Sequence, residues 1–255
     1  MTATARAIAF HHALHALVCD RVVPWPHGTV VFADEFAESW ALNTVRVEGP
    51  DPGLDVSALV AAADRLQAGC AHRQIEVEDE AAGRRLRPGF EALGWDAERL
   101  VWMELRGPAR AEPSTVEISE IPLARTHPLR EAWYLDGGWT RSVEETRSFI
   151  ELEDRLAAKT GTRALAAWGE GGELLGYVTF TARSGAAEIE QAYVKPERRG
   201  AGIGGALVAA AVEAAGAPTT FIVANDEEDA KRLYARLGFE PVWRVHQFIR
   251  RPPET

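Results

Sequence analysis

The chain has 255 residues, of which 46% are hydrophobic and 26% charged, so it can bury a core and is not of the disordered class. Its net charge of -10 at pH 7 opposes nucleic-acid binding, which needs clustered Lys and Arg, but is compatible with a cationic substrate. It holds neither a run of 18 apolar residues nor a CxxC pair, which predicts no membrane span and no disulfide framework and favours a cytoplasmic location.

Three histidines lie near the N-terminus, and two of them, His11 and His15, are one helical turn apart. No carboxylate or thiol stands next to them in the sequence. We therefore interpret them as an ordinary, partly exposed helix face and expect no metal in this protein.

Hydrophobic periodicity predicts alternating strands and helices in the first half. The expected elements are a strand at 40–47, a helix at 54–67, a strand at 73–77, a helix at 80–93 and a strand at 99–105. Two prolines and a glycine then fall within 107–115, which is typical of a linker. We place a domain boundary there and predict domains at residues 1–110 and 111–255.

The second half continues the alternation. Its expected strands are 115–119, 162–168, 174–181, 187–194, 219–224 and 241–249, and its expected helices are 123–135, 143–159, 201–215 and 226–237. Leu93-Gly94-Trp95 in the first half parallels Leu237-Gly238-Phe239 in the second. This parallel suggests an internal duplication and an α/β fold.

A glycine-rich loop joins the strand 187–194 to the helix 201–215, with the sequence Arg199-Gly200-Ala201-Gly202-Ile203-Gly204-Gly205. Glycine lets the backbone approach a ligand closely, and the free amides of a helix N-terminus attract anions. The loop is therefore a candidate pyrophosphate site, with Arg198 and Arg199 adding charge. Its spacing, RxxGxG late in the chain, differs from the GxGxxG of dinucleotide-binding folds, and a loop that only packs closely is the alternative.

Two further motifs accompany the loop: Glu188-Ile189-Glu190-Gln191-Ala192-Tyr193-Val194 before it, and Asn225 with Leu233-Tyr234-Ala235-Arg236-Leu237-Gly238-Phe239 after it. With these, residues 115–250 resemble the GNAT superfamily of N-acetyltransferases. The loop matches the pyrophosphate motif of that family, and Tyr234 matches its fourth-helix tyrosine.

The resemblance implies two tandem GNAT-like domains, each a mixed, mostly antiparallel sheet flanked by helices, with acetyl-CoA as co-substrate. It implies that the strand before the loop splays from its neighbour and offers free backbone groups to pantetheine, and that Tyr234 lies near the sulfur as general acid. The expected cofactor-binding residues are Ala192, Tyr193, Val194, Arg198, Arg199, Gly200, Ala201, Gly202, Ile203, Gly204, Gly205, Asn225 and Tyr234.

Two carboxylates are candidates for the general base. Glu188 and Glu190 are two apart on one strand and therefore share a face. Glu188 is the first choice because it lies eleven positions before Arg199, as does the glutamate base in some histone-acetylating members of the family. A solvated strand face, with water as the base, is the alternative.

The loop Asp136-Gly137-Gly138-Trp139 joins two expected helices, and in related proteins it lines the acceptor pocket. Asp136 would pair with a cationic amine and Trp139 would wall the pocket, unless the segment is a plain glycine turn.

The first half lacks the phosphate motif. Residues 48–55 hold two prolines and three acids instead, and Phe90 stands where Tyr234 stands in the second half. We therefore expect a degenerate first domain and one CoA site per chain. The predicted function is acetyl transfer to a small-molecule or peptide amine by a monomer or homodimer; the alternatives are a non-catalytic CoA sensor and an interaction protein.

Overall fold

The computed structural model describes residues 1–111, 114–138, 140, 142–183 and 185–252. The α-helices are α1 (Ala3–Val18), α2 (Val56–Leu66), α3 (Glu80–Ala92), α4 (His127–Asp136), α5 (Val143–Thr160), α6 (Ile203–Ala215) and α7 (Ala230–Leu237). The strands are β1 (Arg21–Trp25), β2 (Gly28–Phe32), β3 (Val45–Val47), β4 (Arg73–Val77), β5 (Asp96–Leu105), β6 (Glu117–Ile121), β7 (Arg163–Trp168), β8 (Leu174–Arg183), β9 (Ala186–Val194), β10 (Thr219–Asn225) and β11 (Phe239–Arg250).

The backbone packs into two compact units. The first contains Met1–Trp102, Ala224–Glu228 and the C-terminal residues from Val242, and the second contains Met103–Val223 and Asp229–Pro241. The domain boundary after residue 110 stays a prediction. Most of β11 belongs to the first unit, which its place at the end of the sequence does not reveal.

In the first unit the strand order is β1-β2-β3-β4-β11-β5. β3 and β4 run parallel, whereas β1–β2, β2–β3 and β4–β11 are antiparallel. Asp55 and Asp79 cap the N-termini of α2 and α3, and each carboxylate accepts a hydrogen bond from a backbone amide of the first turn. Phe90 of α3 is fully buried and stacks on Phe248 at 4.2 Å between centroids. The residue at the predicted tyrosine position is thus part of the core.

The predicted strand 40–47 is wrong in its first part, because only 45–47 are extended. The reason is Asn43, a buried residue whose side chain bonds three backbone groups of the preceding segment. Its amide donates to the carbonyls of Phe36 and Ser39, both at 2.8 Å, and its oxygen accepts from the Ala33 amide at 3.0 Å. These bonds fold the segment into turns that an apolar pattern does not predict.

In the second unit the strand order is β6-β7-β8-β9-β10, with antiparallel pairing up to β9 and a parallel pair between β9 and β10. The helix α6 packs on β7, β8 and β9. Both units therefore have the mixed, mostly antiparallel sheet flanked by helices that the sequence predicts. Among the described helices, none is both long enough and apolar enough to cross a membrane.

Candidate active site

The strand β9 separates from β10 halfway along its length. The parallel ladder pairs Ala186 to Ile189 of β9 with Thr219 to Ile222 of β10. β9 then continues to Val194 while its other edge stays paired with β8 as far as Gly176↔Val194. In the part of the chain that the structure describes, β9 therefore has an edge without a strand partner after Ile189. The resemblance to the GNAT superfamily implies such an edge, and its use in holding a ligand stays a prediction.

A β-bulge lies where the two strands part. The β8–β9 register shifts between Val178 and Phe180, so that Glu190 and Gln191 together oppose Thr179. The Gln191 amide donates to the Thr179 hydroxyl at 3.1 Å, which satisfies a group that the bulge takes out of the ladder. Bulges re-aim side chains, and this one acts on Glu190.

The side chain of Glu190 is exposed to solvent, and its carboxyl group is nevertheless close enough to other protein atoms to be partly desolvated. Loss of bulk water around the carboxyl raises the pKa of Glu190, and a hydrogen bond from the Thr181 hydroxyl partly opposes this shift. The Thr181 oxygen in turn lies 3.0 Å from that of Thr162. A carboxyl with a raised pKa is a stronger base than an ordinary glutamate, and access to solvent lets it exchange its proton.

Glu188, the first choice from the sequence, lies opposite Thr181 on β8 and is partly exposed. Its carboxylate and that of Glu190 both interact with Arg183. Burial lowers the pKa of Arg183, and the two negative charges partly oppose this shift. The structure thus keeps both candidate bases within electrostatic reach of one arginine.

The glycine loop follows β9 directly. Gly200 and Gly202 have φ of +83° and +77°, which residues with a Cβ rarely adopt, and a Cβ at either position would meet nothing within 4 Å. The first intrahelical bond of α6 runs from the Ala206 amide to the Gly202 carbonyl at 3.0 Å. The amides of 203–205 therefore have no intrahelical acceptor and point out of the helix N-terminus.

Gly204 and Gly205 serve packing instead. A Cβ at Gly204 would lie 3.6 Å from a methyl carbon of Leu233, and one at Gly205 would lie 3.5 Å from Leu237. Both leucines belong to α7, and both distances are ordinary van der Waals contacts, so Gly204 and Gly205 lie where α6 packs on α7 and the space there would also accept a Cβ. The loop thus divides into an open cradle at 200–202 and a packing surface at 204–205.

The cations of the loop are paired with carboxylates. Arg199 donates to the Val194 carbonyl at 3.0 Å and lies 3.3 Å from Asp136 Oδ2. Lys195 and Arg198 both contact Glu173, at 2.9 and 3.0 Å. An incoming anion would compete with these exposed carboxylates for the basic side chains.

Asp136, predicted from the sequence as a substrate residue, ends α4 and contacts two of the predicted cofactor-binding residues, Tyr193 and Arg199. The Tyr193 hydroxyl donates to Asp136 Oδ2 at 2.7 Å. Burial and this hydrogen bond raise the pKa of Tyr193 to about 12, so the phenol stays protonated. Trp139, the other predicted substrate residue, lies outside the described residues.

Tyr234 lies on α7 and is buried, with its ring 6.4 Å from that of Phe239. It therefore packs against the core, and a role for its hydroxyl remains a prediction. Asn225 ends β10 in the segment 224–228 of the first unit, where its side-chain oxygen accepts from the Glu227 amide at 2.9 Å. Its proposed contact with pantetheine also stays a prediction.

Residues 127–239 match the model of the acetyltransferase (GNAT) family. They form a GNAT acetyltransferase domain. This match confirms the resemblance of the sequence and supports an acyltransferase. None of the curated proteins compared with the chain matches it.

Solved structures extend the similarity beyond the GNAT domain to nearly the whole chain. A GCN5-related N-acetyltransferase from Kribbella flavida is 18% identical, with a TM-score of 0.65, and the alignment covers 100% of this chain and 97% of that one. A functionally unknown conserved protein from Staphylococcus epidermidis ATCC 12228 is 13% identical, with a TM-score of 0.70, over 92% and 94% of the two chains. A tandem GNAT protein from the clavulanic acid biosynthesis pathway is 16% identical, with a TM-score of 0.55, over 91% and 82%. At these identities the similarity shows the fold, and it confirms the predicted fold class.

The GNAT domain also contains a charged network that the sequence does not single out. Arg130 of α4 is fully buried and contacts Glu153 and Asp154 of α5. Glu153 also accepts hydrogen bonds from the Tyr134 hydroxyl at 2.6 Å and from the side-chain amide of Gln191 (Nε2) at 2.8 Å. The network ties α4 and α5 to the bulge of β9. The i, i+4 spacing of Arg130 and Tyr134 places both on one helix face, but their common partner is known only from the tertiary structure.

Three features of the GNAT domain are chemically compatible with CoA. The cradle at 200–202 is open, the helix N-terminus offers amides, and β9 offers an unpaired backbone edge after Ile189. Phosphates suit the first two features and an amide-bearing pantetheine arm suits the third.

Proposed function

We propose that the GNAT domain transfers an acetyl group from acetyl-CoA to a neutral amine by direct attack. One observation carries the proposal: the β9–β10 ladder ends at Ile189, directly before a carboxyl with a raised pKa and ten residues before the glycine loop begins. Among the described residues, a strand edge without a strand partner, a candidate base and a candidate anion cradle thus follow one another along one stretch of chain. The match to the GNAT family over 127–239 supports the same reaction.

Acetyl-CoA supplies the acyl group as a thioester when it is bound. The amides of 203–205 and the side chains of Arg198 and Arg199 would hold the pyrophosphate. The unpaired edge of β9 around Ala192–Val194 would bond the pantetheine arm, and one amide there would donate to the carbonyl oxygen as negative charge develops on it.

Glu190 would act as the general base, ahead of Glu188. An amine attacks only in its neutral form, whereas a lysine-like amine has a pKa of about 10.4 and is mostly protonated at pH 7. The pKa of Glu190 is raised, the Thr181 hydroxyl orients its carboxylate, and the bulge presents it at the point where the strands part. The carboxylate would take the amine proton directly or through one water molecule as the C–N bond forms.

Tyr234 would act as the general acid. As the C–S bond breaks, the departing thiolate needs a proton, and its own pKa is near that of an ordinary thiol, about 8.5. A phenol has a pKa of about 10 and can give this proton while a solvent proton restores it. The place of Tyr234 on α7, next to the helix α6 of the phosphate cradle, supports this role.

Asp136 and Trp139 remain the proposed acceptor residues. Asp136 belongs to the proposed acceptor loop, and its contacts with Tyr193 and Arg199 support a position close to the proposed cofactor site. Asp136 would therefore meet a cationic acceptor next to the bound cofactor. The acceptor class that this charge favours is an amine on a small molecule or a peptide.

The test is a panel of small-molecule and peptide amines incubated with acetyl-CoA and the full chain, with release of the free thiol as the readout. A longer acyl-CoA is included as a second donor. The Glu190→Gln variant serves as the matched control, because it keeps the shape of the side chain and removes the base. The proposal is wrong if calorimetry shows that CoA binds and yet no amine raises thiol release above the background hydrolysis.

A further inference from the structure

A second cluster of charged and histidine side chains lies in the first unit, between the helix α1 and the strands β3 and β4. Arg46 and Glu48 project from the end of β3, and Glu76 and Glu78 project from the end of β4. Three histidines of α1 face them: His11, His12 and His15. A helix normally packs on a sheet through apolar residues, so this interface is unusual in its charge.

Two carboxylates of this interface lie side by side because of the strand register. β3 and β4 are parallel, with Val47 paired to Val77, and the Glu78 amide donates to the Val47 carbonyl at 3.1 Å. Continuing that register by one residue brings Glu48 next to Glu78. Two like charges at this spacing repel each other, so a cation between them would be stabilised in addition to the contacts that they make with Arg46 and His12.

His12 of α1 completes the group. Its Nε2 contacts Glu78 Oε1, and one atom from each of His12, Glu48 and Glu78 lies within 4.8 Å of the other two. Glu78 is buried, whereas His12 and Glu48 keep side-chain exposures of 29% and 30%. The three donors therefore face a space that solvent reaches.

The other two histidines are already engaged. His15 receives a hydrogen bond from Arg46 at Nδ1, at 3.0 Å, and donates from Nε2 to the Ala41 carbonyl at 3.1 Å. His11 pairs with Glu76 at 2.8 Å, and Glu76 also accepts from Gln247 at 3.0 Å. His11 and His15 lie one helical turn apart, a spacing that metal ligands can have. Both side chains instead make hydrogen bonds within the protein.

We propose that His12, Glu48 and Glu78 bind one divalent transition-metal cation of the Zn²⁺ class. Imidazole and carboxylate together suit Zn²⁺, whereas Mg²⁺ and Ca²⁺ prefer sets made only of oxygen. Three protein ligands with bonds of about 2.0–2.2 Å leave a fourth position for water. The hydrogen bond between His12 and Glu78 would open, and both atoms would turn to the metal.

The neighbours of the three ligands suit this role. The Thr29 hydroxyl donates to Glu48 Oε1, and Arg46 lies 3.3 Å from the same oxygen, so this carboxylate is held in place before a metal arrives. Outer contacts of this kind orient metal ligands. The sequence predicts no metal because no carboxylate stands next to the histidines of α1. Both carboxylates of this site come from strands that lie far from α1 in the sequence.

The bound cation would have a structural effect, because its ligands come from α1, β3 and β4. It would tie the N-terminal helix to two strands of the first unit without entering the acetyltransferase site. The proposal does not depend on the proposed function. A variant of this protein that cannot transfer acetyl groups should still bind the metal.

The experiment uses the full chain after removal of metals with a chelator, and Zn²⁺ alone as the probe. Calorimetry should give one Zn²⁺ per chain, and Zn²⁺ but not Mg²⁺ should raise the melting temperature. His12→Asn and Glu48→Gln should each weaken binding at least about 100-fold, since even loss of an outer contact costs 10–100-fold. Glu48 is part-exposed, so Glu48→Gln is expected to fold, and far-UV circular dichroism checks this.

A matched control is His27→Asn. His27 pairs with Asp51 at 2.6 Å in the same unit, so it tests whether any histidine–carboxylate pair binds the probe. Binding of Zn²⁺ should be unchanged in this variant. The proposal is overturned if the wild type binds no Zn²⁺, if His12→Asn and Glu48→Gln bind it as tightly as the wild type, or if His27→Asn loses it equally.

Discussion

The Tyr193 hydroxyl donates a hydrogen bond to the Asp136 carboxylate at 2.7 Å, which joins the end of α4 to the strand that leads into the glycine loop. The same carboxylate oxygen lies 3.3 Å from Arg199. One acid of the proposed acceptor loop is therefore the partner of two residues of the proposed cofactor site. Any ligand that binds Arg199 must also change the environment of Asp136.

Asp136→Asn should tighten CoA binding several-fold. The substitution keeps an oxygen for Tyr193 but removes the charge that competes with a phosphate for Arg199. Calorimetry with CoA measures the effect, which should shrink at high salt because these side chains are exposed. Tyr193→Phe, which leaves the carboxylate on Arg199, should stay near the wild-type affinity. Weaker CoA binding by Asp136→Asn would contradict this account.

Gly202→Asp should abolish most CoA binding, whereas Gly202→Asn should retain more of it. Both side chains tolerate the left-handed backbone at φ +77° better than most, and they have the same shape. The difference between the two variants therefore isolates the charge placed at the phosphate cradle. We expect a gap of about tenfold or more in the dissociation constant. Equal affinities would show that the phosphates lie elsewhere.

Tyr234→Phe should lower kcat by ~10²–10⁴-fold, the usual range for loss of a general acid. The phenyl ring keeps its contact with Phe239, so the melting temperature and the affinity for acetyl-CoA should hardly change. Steady-state rates with a saturating amine from the panel measure the effect. If single-turnover rates of the variant equal those of the wild type, the proton comes from another group.

Glu190→Gln should reduce kcat/KM by ~10²–10⁴-fold, and Glu188→Gln should reduce it far less. Glu190 acts as a base only when ionised, and its pKa is raised above the ordinary value of 4.5. In the wild type, kcat/KM should therefore fall on acidification with an apparent pKa above 4.5, and Glu190→Gln should lose that limb. The reverse result, with the large effect in Glu188→Gln, would move the role of base to Glu188.

Thr181→Val should move the acidic limb of the kcat/KM profile to higher pH. The Thr181 hydroxyl donates to the ionised Glu190 carboxylate and so lowers its pKa, and removing the donor lets the pKa rise further. The profile is measured again in the Glu190→Gln background, where Thr181→Val should have no effect on pH dependence. A shift that persists in that background would mean that Thr181 acts through some other group.

The sequence by itself determined the features whose information is local. Gly202 at a helix start, with arginine three residues before it, predicts a close approach of the backbone to an anion, and the structure has a φ of +77° at this position, which favours glycine. The strand 73–77 and the helix that begins at Glu80 likewise follow from local patterns of apolar residues and from a capping aspartate. These features depend on backbone preferences and periodicity within a few residues.

Only the tertiary structure decided which side chains meet. The bulge at Glu190 depends on the pairing of β9 with β8, and a shift of one residue changes the face on which each side chain lies. The contact of Asp136 with Arg199 joins residues 63 positions apart, and the approach of Glu48 to Glu78 depends on the parallel register of β3 and β4. Such contacts result from strand register and helix packing, which the whole chain determines together, so no local pattern of residues carries them.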